Sequence, residues 1–151
     1  MSTSSNPTPD PKTVLVVDDD AAVMTVVNCM LETSGYNVLL APSADVALRL
    51  VGRNDLKIDL VLLDVVMPDL TGPDLAERIL AIRPHMKVLF MSGFSDSEVV
   101  RVKILDRGLE LLPKPFTSDA LLDVIEKVLS VPAHQSAAAG ANGRSFSRFP
   151  R

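Results

Sequence analysis

Two apolar segments of this chain end in aspartate, and their side chains could form one acidic site. Residues 59–64 are a hydrophobic run that finishes in the carboxylate of Asp64, and residues 13–17 lead directly into the aspartates 18–20. Carboxylates that share a pocket repel each other unless a positive group lies between them. Mg²⁺, which prefers oxygen ligands, and Lys114, which follows a later apolar run, are the candidates for that group.

The elements that must position these residues are short strands that alternate with helical patterns. Each predicted strand is a short, mostly apolar run in which Val and Leu predominate, too short for a helix of typical length. The predicted strands cover residues 14–17, 36–40, 60–63, 88–91 and 109–112.

A helical pattern follows each predicted strand. Capping residues and glycine stops mark the boundaries: Ser43, Thr71, Ser95 and Thr117 or Ser118 are candidate N-caps, and Gly35, Gly52 and Gly108 are candidate stops. Apolar side chains at helical spacing predict the buried faces. These are Val23, Val26, Val27, Met30 and Leu31 in the first helix, Ala47, Leu48 and Val51 in the second, Leu75, Ile79 and Ile82 in the third, Val99, Val102 and Ile104 in the fourth, and Leu121, Leu122, Ile125, Val128 and Leu129 in the last.

Five strand-then-helix units predict an α/β domain with a parallel sheet covered by helices on both faces. In open sheets of this kind the functional site lies at the carboxyl ends of the strands. Asp18, Asp19, Asp64, Ser92 and Lys114 each follow the end of a predicted strand. We therefore expect these five residues to converge on one edge of the sheet.

The chemistry of that set points to phosphoryl transfer. A carboxylate beside a divalent cation can attack phosphorus, because the cation offsets the repulsion between two anions and orients both. Asp64 stands alone at its strand end and is the best nucleophile candidate, whereas the adjacent Asp18 and Asp19 suit metal binding. Lys114 could neutralise charge on the phosphoryl oxygens, and the Ser92 hydroxyl could bond one of them afterward.

Four motifs in register resemble the receiver domain of two-component response regulators. They are Val16-Val17-Asp18-Asp19-Asp20, Leu63-Asp64-Val65-Val66-Met67-Pro68-Asp69, Met91-Ser92-Gly93 and Pro113-Lys114-Pro115-Phe116. The resemblance covers residues 12–130. It implies a flavodoxin-like, doubly wound fold of three α/β/α layers with five parallel strands in the order 2-1-3-4-5. It also implies a function, the acceptance of a phosphoryl group from a phosphohistidine on a histidine kinase or a histidine phosphotransfer protein.

The resemblance also implies a role for individual residues at the metal site. Asp64 matches the phosphoacceptor, which is also a metal ligand in the family. Asp19 matches the direct Mg²⁺ ligand, and Asp18 matches the neighbour that acts mainly through water. Val66 matches the position whose backbone carbonyl binds the metal.

On the other side of the predicted site, Ser92 matches the family's switch hydroxyl, and Lys114 matches the lysine that contacts the phosphoryl group. The Lys114–Pro115 bond resembles one that is cis in the family.

The chain departs from the family pattern in two ways. Leu111 stands where the family often has an aromatic switch residue, which favours an output that relies on backbone shifts. Val66 and Phe94 are apolar at the two positions that flank the phosphoryl group. Because apolar side chains hinder an attacking water, we predict a slowly decaying phospho-form.

Composition limits the other functions this chain could have. The net charge is −4, with 12 Lys+Arg against 18 Asp+Glu in residues 12–130, so direct nucleic-acid binding is disfavoured. No stretch approaches a membrane span, and the single cysteine, Cys29, fits a reducing compartment and a core position. We therefore predict a cytoplasmic protein.

The two ends of the chain differ from the domain between them. Residues 1–11 and the Ala/Ser/Gly-rich residues 131–151 are predicted to be disordered tails. Because about 20 residues follow the last predicted helix, the sequence favours a stand-alone receiver, or one derived from a hybrid histidine kinase. Output would then occur by protein contact through the predicted fourth helix, fifth strand and fifth helix, with a homodimer as one possible form.

Two rival functions remain open at this point. One is a phosphorylation-independent adaptor with a receiver fold, although such a scaffold would not need an intact set of acids, hydroxyl and lysine. The other is a Mg²⁺-dependent aspartyl phosphohydrolase of the haloacid dehalogenase type. That family places Thr or Val at the fifth position of its motif, where this chain has Ala22. We expect a protein that is not an enzyme beyond its own phosphoryl transfer and slow autodephosphorylation.

Overall fold

A computed structural model describes residues 11–93, Ile104 and residues 109–131 of the 151-residue chain. The described part contains five strands and four complete helices. In chain order they are β1 (Thr13–Val17), α1 (Ala21–Thr33), β2 (Asn37–Ala41), α2 (Ala44–Val51), β3 (Leu60–Asp64), α3 (Gly72–Ile82), β4 (Lys87–Ser92), β5 (Glu110–Pro113) and α4 (Ser118–Ser130).

The five strands form one sheet, and every neighbouring pair is parallel. Their order is β2-β1-β3-β4-β5, which confirms the predicted doubly wound, flavodoxin-like topology. The order reverses between β1 and β3, at the centre of the sheet. Asp18 follows β1 and Asp64 ends β3, so both carboxylates lie at this reversal.

Each helix begins where a polar side chain binds the free backbone N–H groups of the first turn. Asp20 accepts from the N–H groups of Ala22 and Val23, and so behaves as a helix cap. Ser43, Thr71 and Thr117 cap α2, α3 and α4 in the same way, as the sequence predicts. The caps at 20, 43 and 117 fix the points at which the chain leaves the sheet edge and turns into a helix.

The core has two halves, one on each face of the sheet, because side chains alternate along every strand. Residues of α2 and α3, together with Ile104, cover one face, whereas residues of α1 and α4 cover the other. Phe90 of β4 is the largest fully buried side chain and belongs to the first face. Helices on both faces give the three α/β/α layers.

Three apolar residues that the helical pattern placed in the core are on the surface instead. Val26 is 52% exposed and Ile82 is 48% exposed, and Cys29 is also exposed. On α1 the buried residues are Val27 and Leu31, one turn apart, so Cys29, midway between them in sequence, faces away from the sheet. Ile82 is the last residue of α3, and its side chain is largely exposed to solvent.

Some predictions fall outside the described residues. These are the two tails apart from Pro11 and Val131, Phe94, and the helix predicted after Ser95 except for Ile104, which is helical and buried. Within the described part of the chain, no helix is long and apolar enough to cross a membrane.

Candidate functional site

The strand ends bring the predicted residues together at one edge of the sheet. Asp64 is paired in register with Met91 of β4, so Asp64 lies beside the end of the strand that finishes in Ser92. Ser92 is paired with Pro113 of β5, which places Lys114 next along the same edge. The register of the parallel sheet therefore brings Asp64, Ser92 and Lys114, which are far apart in the sequence, together along one edge.

The three aspartates form a compact acidic cluster. One carboxylate oxygen from each of Asp18, Asp19 and Asp64 lies within 4.8 Å of the others. Asp18 is 0% exposed and Asp64 is 7% exposed, whereas Asp19 faces solvent. Two carboxylates of the cluster are therefore buried and one is open to solvent, so a cation could reach the cluster from the side of Asp19.

Lys114 supplies the positive charge of the cluster. Its Nζ lies 3.3 Å from Oδ1 of Asp64 and 3.4 Å from Oδ2 of Asp18. Although burial lowers the pKa of the Lys114 ammonium, the attraction of Asp18 and Asp64 outweighs burial and raises that pKa above its ordinary value. The lysine is therefore positively charged at every physiological pH.

The charged form of Asp18 is less well stabilised than that of Lys114. Burial raises the pKa of its carboxyl and outweighs the opposing effects of the Asp20 N–H and the Lys114 ammonium, while Asp19 raises it further. The Asp20 N–H donates to Oδ1 of Asp18 at 2.9 Å. Lys114 and the Asp20 N–H therefore only partly offset the burial of this carboxylate, and a bound cation would stabilise its charged form further.

The donor set fits Mg²⁺. Three carboxylates and one ammonium leave a formal charge of −2 in the cluster, equal and opposite to that of a divalent cation. Carboxylate oxygens are the hard ligands that Mg²⁺ prefers, and Mg²⁺ keeps several of its waters, so it needs few protein ligands. Asp18, Asp19 and Asp64 would hold the ion.

Ser92 lies beside the cluster and is tied to the lysine through the backbone. It is 1% exposed, and its carbonyl accepts from the Lys114 N–H at 2.7 Å. Its hydroxyl donates to the Gly93 carbonyl at 3.5 Å, longer than a normal O–H···O bond. The hydroxyl is therefore weakly held and can turn to a stronger acceptor.

The remaining predicted positions also have defined places. The Lys114–Pro115 bond is cis, which confirms the sequence prediction. Val66 is 55% exposed, two residues past Asp64 at the mouth of the site. Leu111 is half-buried, is paired with Phe90 in the sheet, and packs against the core on the α2–α3 face.

One residue at this edge was missed by the sequence analysis. Gly72, the first residue of α3, packs against the backbone of Asp64 and Val65. The only signal in the sequence was a glycine at the start of a helix between Thr71 and Pro73, where a residue with a side chain would normally favour the helix more.

Comparisons with known proteins agree with this geometry. The family model of the response regulator receiver domain matches residues 14–126. A curated relative, the DNA-binding transcriptional regulator NtrC of Rhizobium meliloti, is 40% identical over 121 residues, which are 80% of this chain and 24% of that protein. The chain thus spans about a quarter of the length of this relative.

Solved structures show the same similarity. A CheY-like receiver domain protein from Methanospirillum hungatei is 32% identical with a TM-score of 0.71, over 79% of this chain and 94% of that one. The receiver domain of NtrX from Brucella abortus is 31% identical with a TM-score of 0.71, over 79% of this chain and 99% of that one.

Proposed function

Because the chain belongs to the response regulator receiver family, we propose that it accepts a phosphoryl group from a phosphohistidine onto Asp64. One observation carries this proposal. Asp18, Asp19 and Asp64 share one edge of the sheet, with Lys114 within 3.3 to 3.4 Å of two of them.

In the proposed reaction a carboxylate oxygen of Asp64 forms a bond to phosphorus as the bond from phosphorus to the histidine nitrogen breaks. The electron pair of the broken bond stays on the imidazole. Bound Mg²⁺ would offset the repulsion between carboxylate and phosphoryl group. Asp18 and Asp19 would hold the ion beside the nucleophile, and the Val66 carbonyl would add a ligand.

Lys114 and Ser92 act on the product. The Lys114 ammonium, already 3.3 Å from Oδ1 of Asp64, neutralises charge on the phosphoryl oxygens. The weakly held Ser92 hydroxyl turns to donate to one of those oxygens. Because the Lys114 N–H donates to the Ser92 carbonyl, a shift in the backbone of one residue should displace the other. The chain's chemistry is then limited to its own phosphorylation and dephosphorylation.

The signal passes to protein partners. We expect a histidine kinase or histidine phosphotransfer protein upstream and a downstream protein, or a second copy of this chain, on the face that includes β5 and α4. An ion pair of 3.1 Å between Lys127 of α4 and Glu110 of β5 joins these elements. The net charge of −4 supports protein contacts over direct nucleic-acid binding. We propose a cytoplasmic location for this signalling.

The phospho-form should decay slowly, because the exposed, apolar Val66 at the mouth of the site does not orient a water. We expect Val66→Asn to shorten the lifetime of the phospho-form several-fold, measured by intact mass after acetyl phosphate is removed. Ile82→Asn, at a similarly exposed position on α3, is the matched control and should leave the lifetime unchanged. Rapid decay in the wild-type protein would contradict this part of the proposal.

The proposed function is tested by incubation with acetyl phosphate and Mg²⁺, read by intact mass. We expect one phosphoryl adduct in the wild-type protein and none in Asp64→Asn or after addition of EDTA. No adduct, under conditions where Mg²⁺ binding is measured directly, would favour the phosphorylation-independent adaptor. Steady phosphate release without an adduct would favour the phosphohydrolase.

A further inference from the structure

Gly72 is in contact with the backbone of the residue proposed to accept the phosphoryl group. A Cβ placed on Gly72 would lie 2.5 Å from the Asp64 carbonyl oxygen and 2.8 Å from the Val65 Cα. Both atoms belong to the main chain, so neither can move aside by a change of rotamer. Real Cβ atoms essentially never come closer than 3.0 Å to such atoms.

The need for glycine at this position is one of space rather than of backbone conformation. Gly35 has a φ of +93°, in the left-handed region, but Gly72 does not have a left-handed φ. An alanine could adopt the backbone of Gly72 and, at the start of a helix, would favour α3 more than glycine does. The contact with Asp64 and Val65 is what excludes it.

The same residue holds the segment that follows β3. The Gly72 N–H donates to the Val65 carbonyl at 2.7 Å, and on the other side the Val65 N–H donates to the Met91 carbonyl at 3.0 Å. Val65 is thus fixed between β4 and the first turn of α3. Asp64 precedes this fixed residue and Val66 follows it, so their positions depend on how closely Gly72 approaches.

We propose that Gly72 is a positioning residue, which sets the place of the Asp64 carboxylate and the Val66 carbonyl relative to Asp18 and Asp19. The inference rests on the proposed function. An added methyl group must open the 2.5 Å gap to at least 3.0 Å, a shift of about 0.5 Å. That is the tolerance within which catalytic and metal-binding groups must be held, and a misplacement of 1 Å can lower a rate about 10²-fold.

The test compares Gly72→Ala with the wild-type protein in two assays at a temperature where both are folded. We expect the Mg²⁺ dissociation constant, from calorimetric titration without phosphodonor, to rise about tenfold. The initial rate of phosphorylation by acetyl phosphate should fall by a similar factor. Gly52→Ala is the matched glycine control, because a Cβ there meets only the Leu48 carbonyl oxygen at 3.3 Å and the Arg49 carbonyl oxygen at 3.7 Å.

A second control separates positioning from general destabilisation of α3. Ile79→Val removes one methylene from a fully buried residue of the same helix, seven residues after Gly72. If Ile79→Val weakens Mg²⁺ binding as much as Gly72→Ala does, or if Gly72→Ala binds Mg²⁺ like the wild type, the positioning role is overturned. If the wild-type protein itself forms no adduct, the proposed function fails instead, and the Mg²⁺ titration still decides the role of Gly72.

Should Gly72→Ala not fold, the wild-type protein carries the test alone. We expect Mg²⁺ to shift the backbone amide resonances of Asp64, Val66 and Gly72 together, and to leave that of Gly52 in place. Shifts at Asp64 and Val66 without one at Gly72 would show that the contact does not couple α3 to the site.

Discussion

Charged residues lie at both edges of the sheet, but their charges are compensated by different partners at each edge. At the amino edge a pocket of about 370 Å³ is lined by Lys12, Asp59, Arg83, His85 and Lys87, among others. At the carboxyl edge the aspartates 18, 19 and 64 surround Lys114.

Charges at the amino edge are satisfied largely by the backbone. The Arg83 guanidinium donates to the carbonyls of Val51, Arg53 and Leu56 at 2.7 to 2.9 Å. The Lys87 ammonium donates to the carbonyls of Leu129 and Val131 at the end of α4. These side chains close the ends of helices and loops, as cations near helix C-termini do.

Charges at the carboxyl edge are satisfied mostly by one another. Lys114 contacts two carboxylates rather than carbonyls, and burial raises the pKa of Asp18. Charged side chains that pair with one another can exchange one of these contacts for a bound ligand. Charged side chains that are hydrogen-bonded to backbone carbonyls stabilise the fold instead, and a pocket beside them is not by itself a binding site.

The largest expected effect is a difference in phosphorylation rate between variants of the two lysines, one on each edge. Lys114→Met removes the ammonium that lies 3.3 Å from Oδ1 of Asp64, and we expect the rate of phosphorylation by acetyl phosphate to fall on the order of 10²-fold. Lys87→Met removes a cation from the amino edge and should leave this rate within about twofold. Intact mass over time measures both. Equal losses in the two variants would break the distinction between the edges.

Arg83 should show the opposite pattern. Arg83→Met keeps the apolar stem but removes the guanidinium from the carbonyls of Val51, Arg53 and Leu56, so we expect a loss of about 2 kcal/mol in the free energy of unfolding. Urea denaturation followed by circular dichroism measures this loss. The Mg²⁺ dissociation constant should stay at the wild-type value, and a change there would link the amino edge to the site.

Asp18→Asn should stabilise the metal-free protein, since burial disfavours the charged form of the Asp18 carboxyl more than Lys114 and the Asp20 N–H favour it. We expect a gain of about 1 kcal/mol near neutral pH. Because the folded pKa of Asp18 is raised above 3.8, the wild-type protein loses stability as pH rises from that value through the folded pKa. The advantage of the variant in Mg²⁺-free urea denaturation should therefore grow with pH. An advantage that shrinks as pH rises would contradict the burial of an under-compensated carboxylate.

The smallest effect should come from a charge pair on neither edge. Arg49 and Asp45 form an i,i+4 ion pair on α2, with side chains 72% and 73% exposed. We expect Asp45→Ala to change the free energy of unfolding by less than about 0.5 kcal/mol and to leave phosphorylation unchanged. A larger change in denaturation midpoint would mean that exposed charges here matter as much as those at the edges.

Local pattern was sufficient for much of the fold. Short apolar runs located all five strands within one or two residues, and Ser43, Thr71 and Thr117 marked three helix starts because capping is a contact between near neighbours in sequence. The pattern overstated burial at Val26, Ile82 and Cys29. The sheet buries only one face of each helix, and an apolar residue just outside that face remains exposed to solvent.

By itself, the sequence determined which groups could do chemistry and at which strand ends they lie. Parallel strands share a direction, so residues that follow them must reach the same edge. Only the tertiary structure decided how those groups meet: which oxygens face Lys114, and that Gly72 abuts the Asp64 carbonyl. The physical reason is that the path of residues 65–71 back onto β3 depends on packing between elements, and no periodicity in the chain encodes a contact between main-chain atoms at 64 and 72.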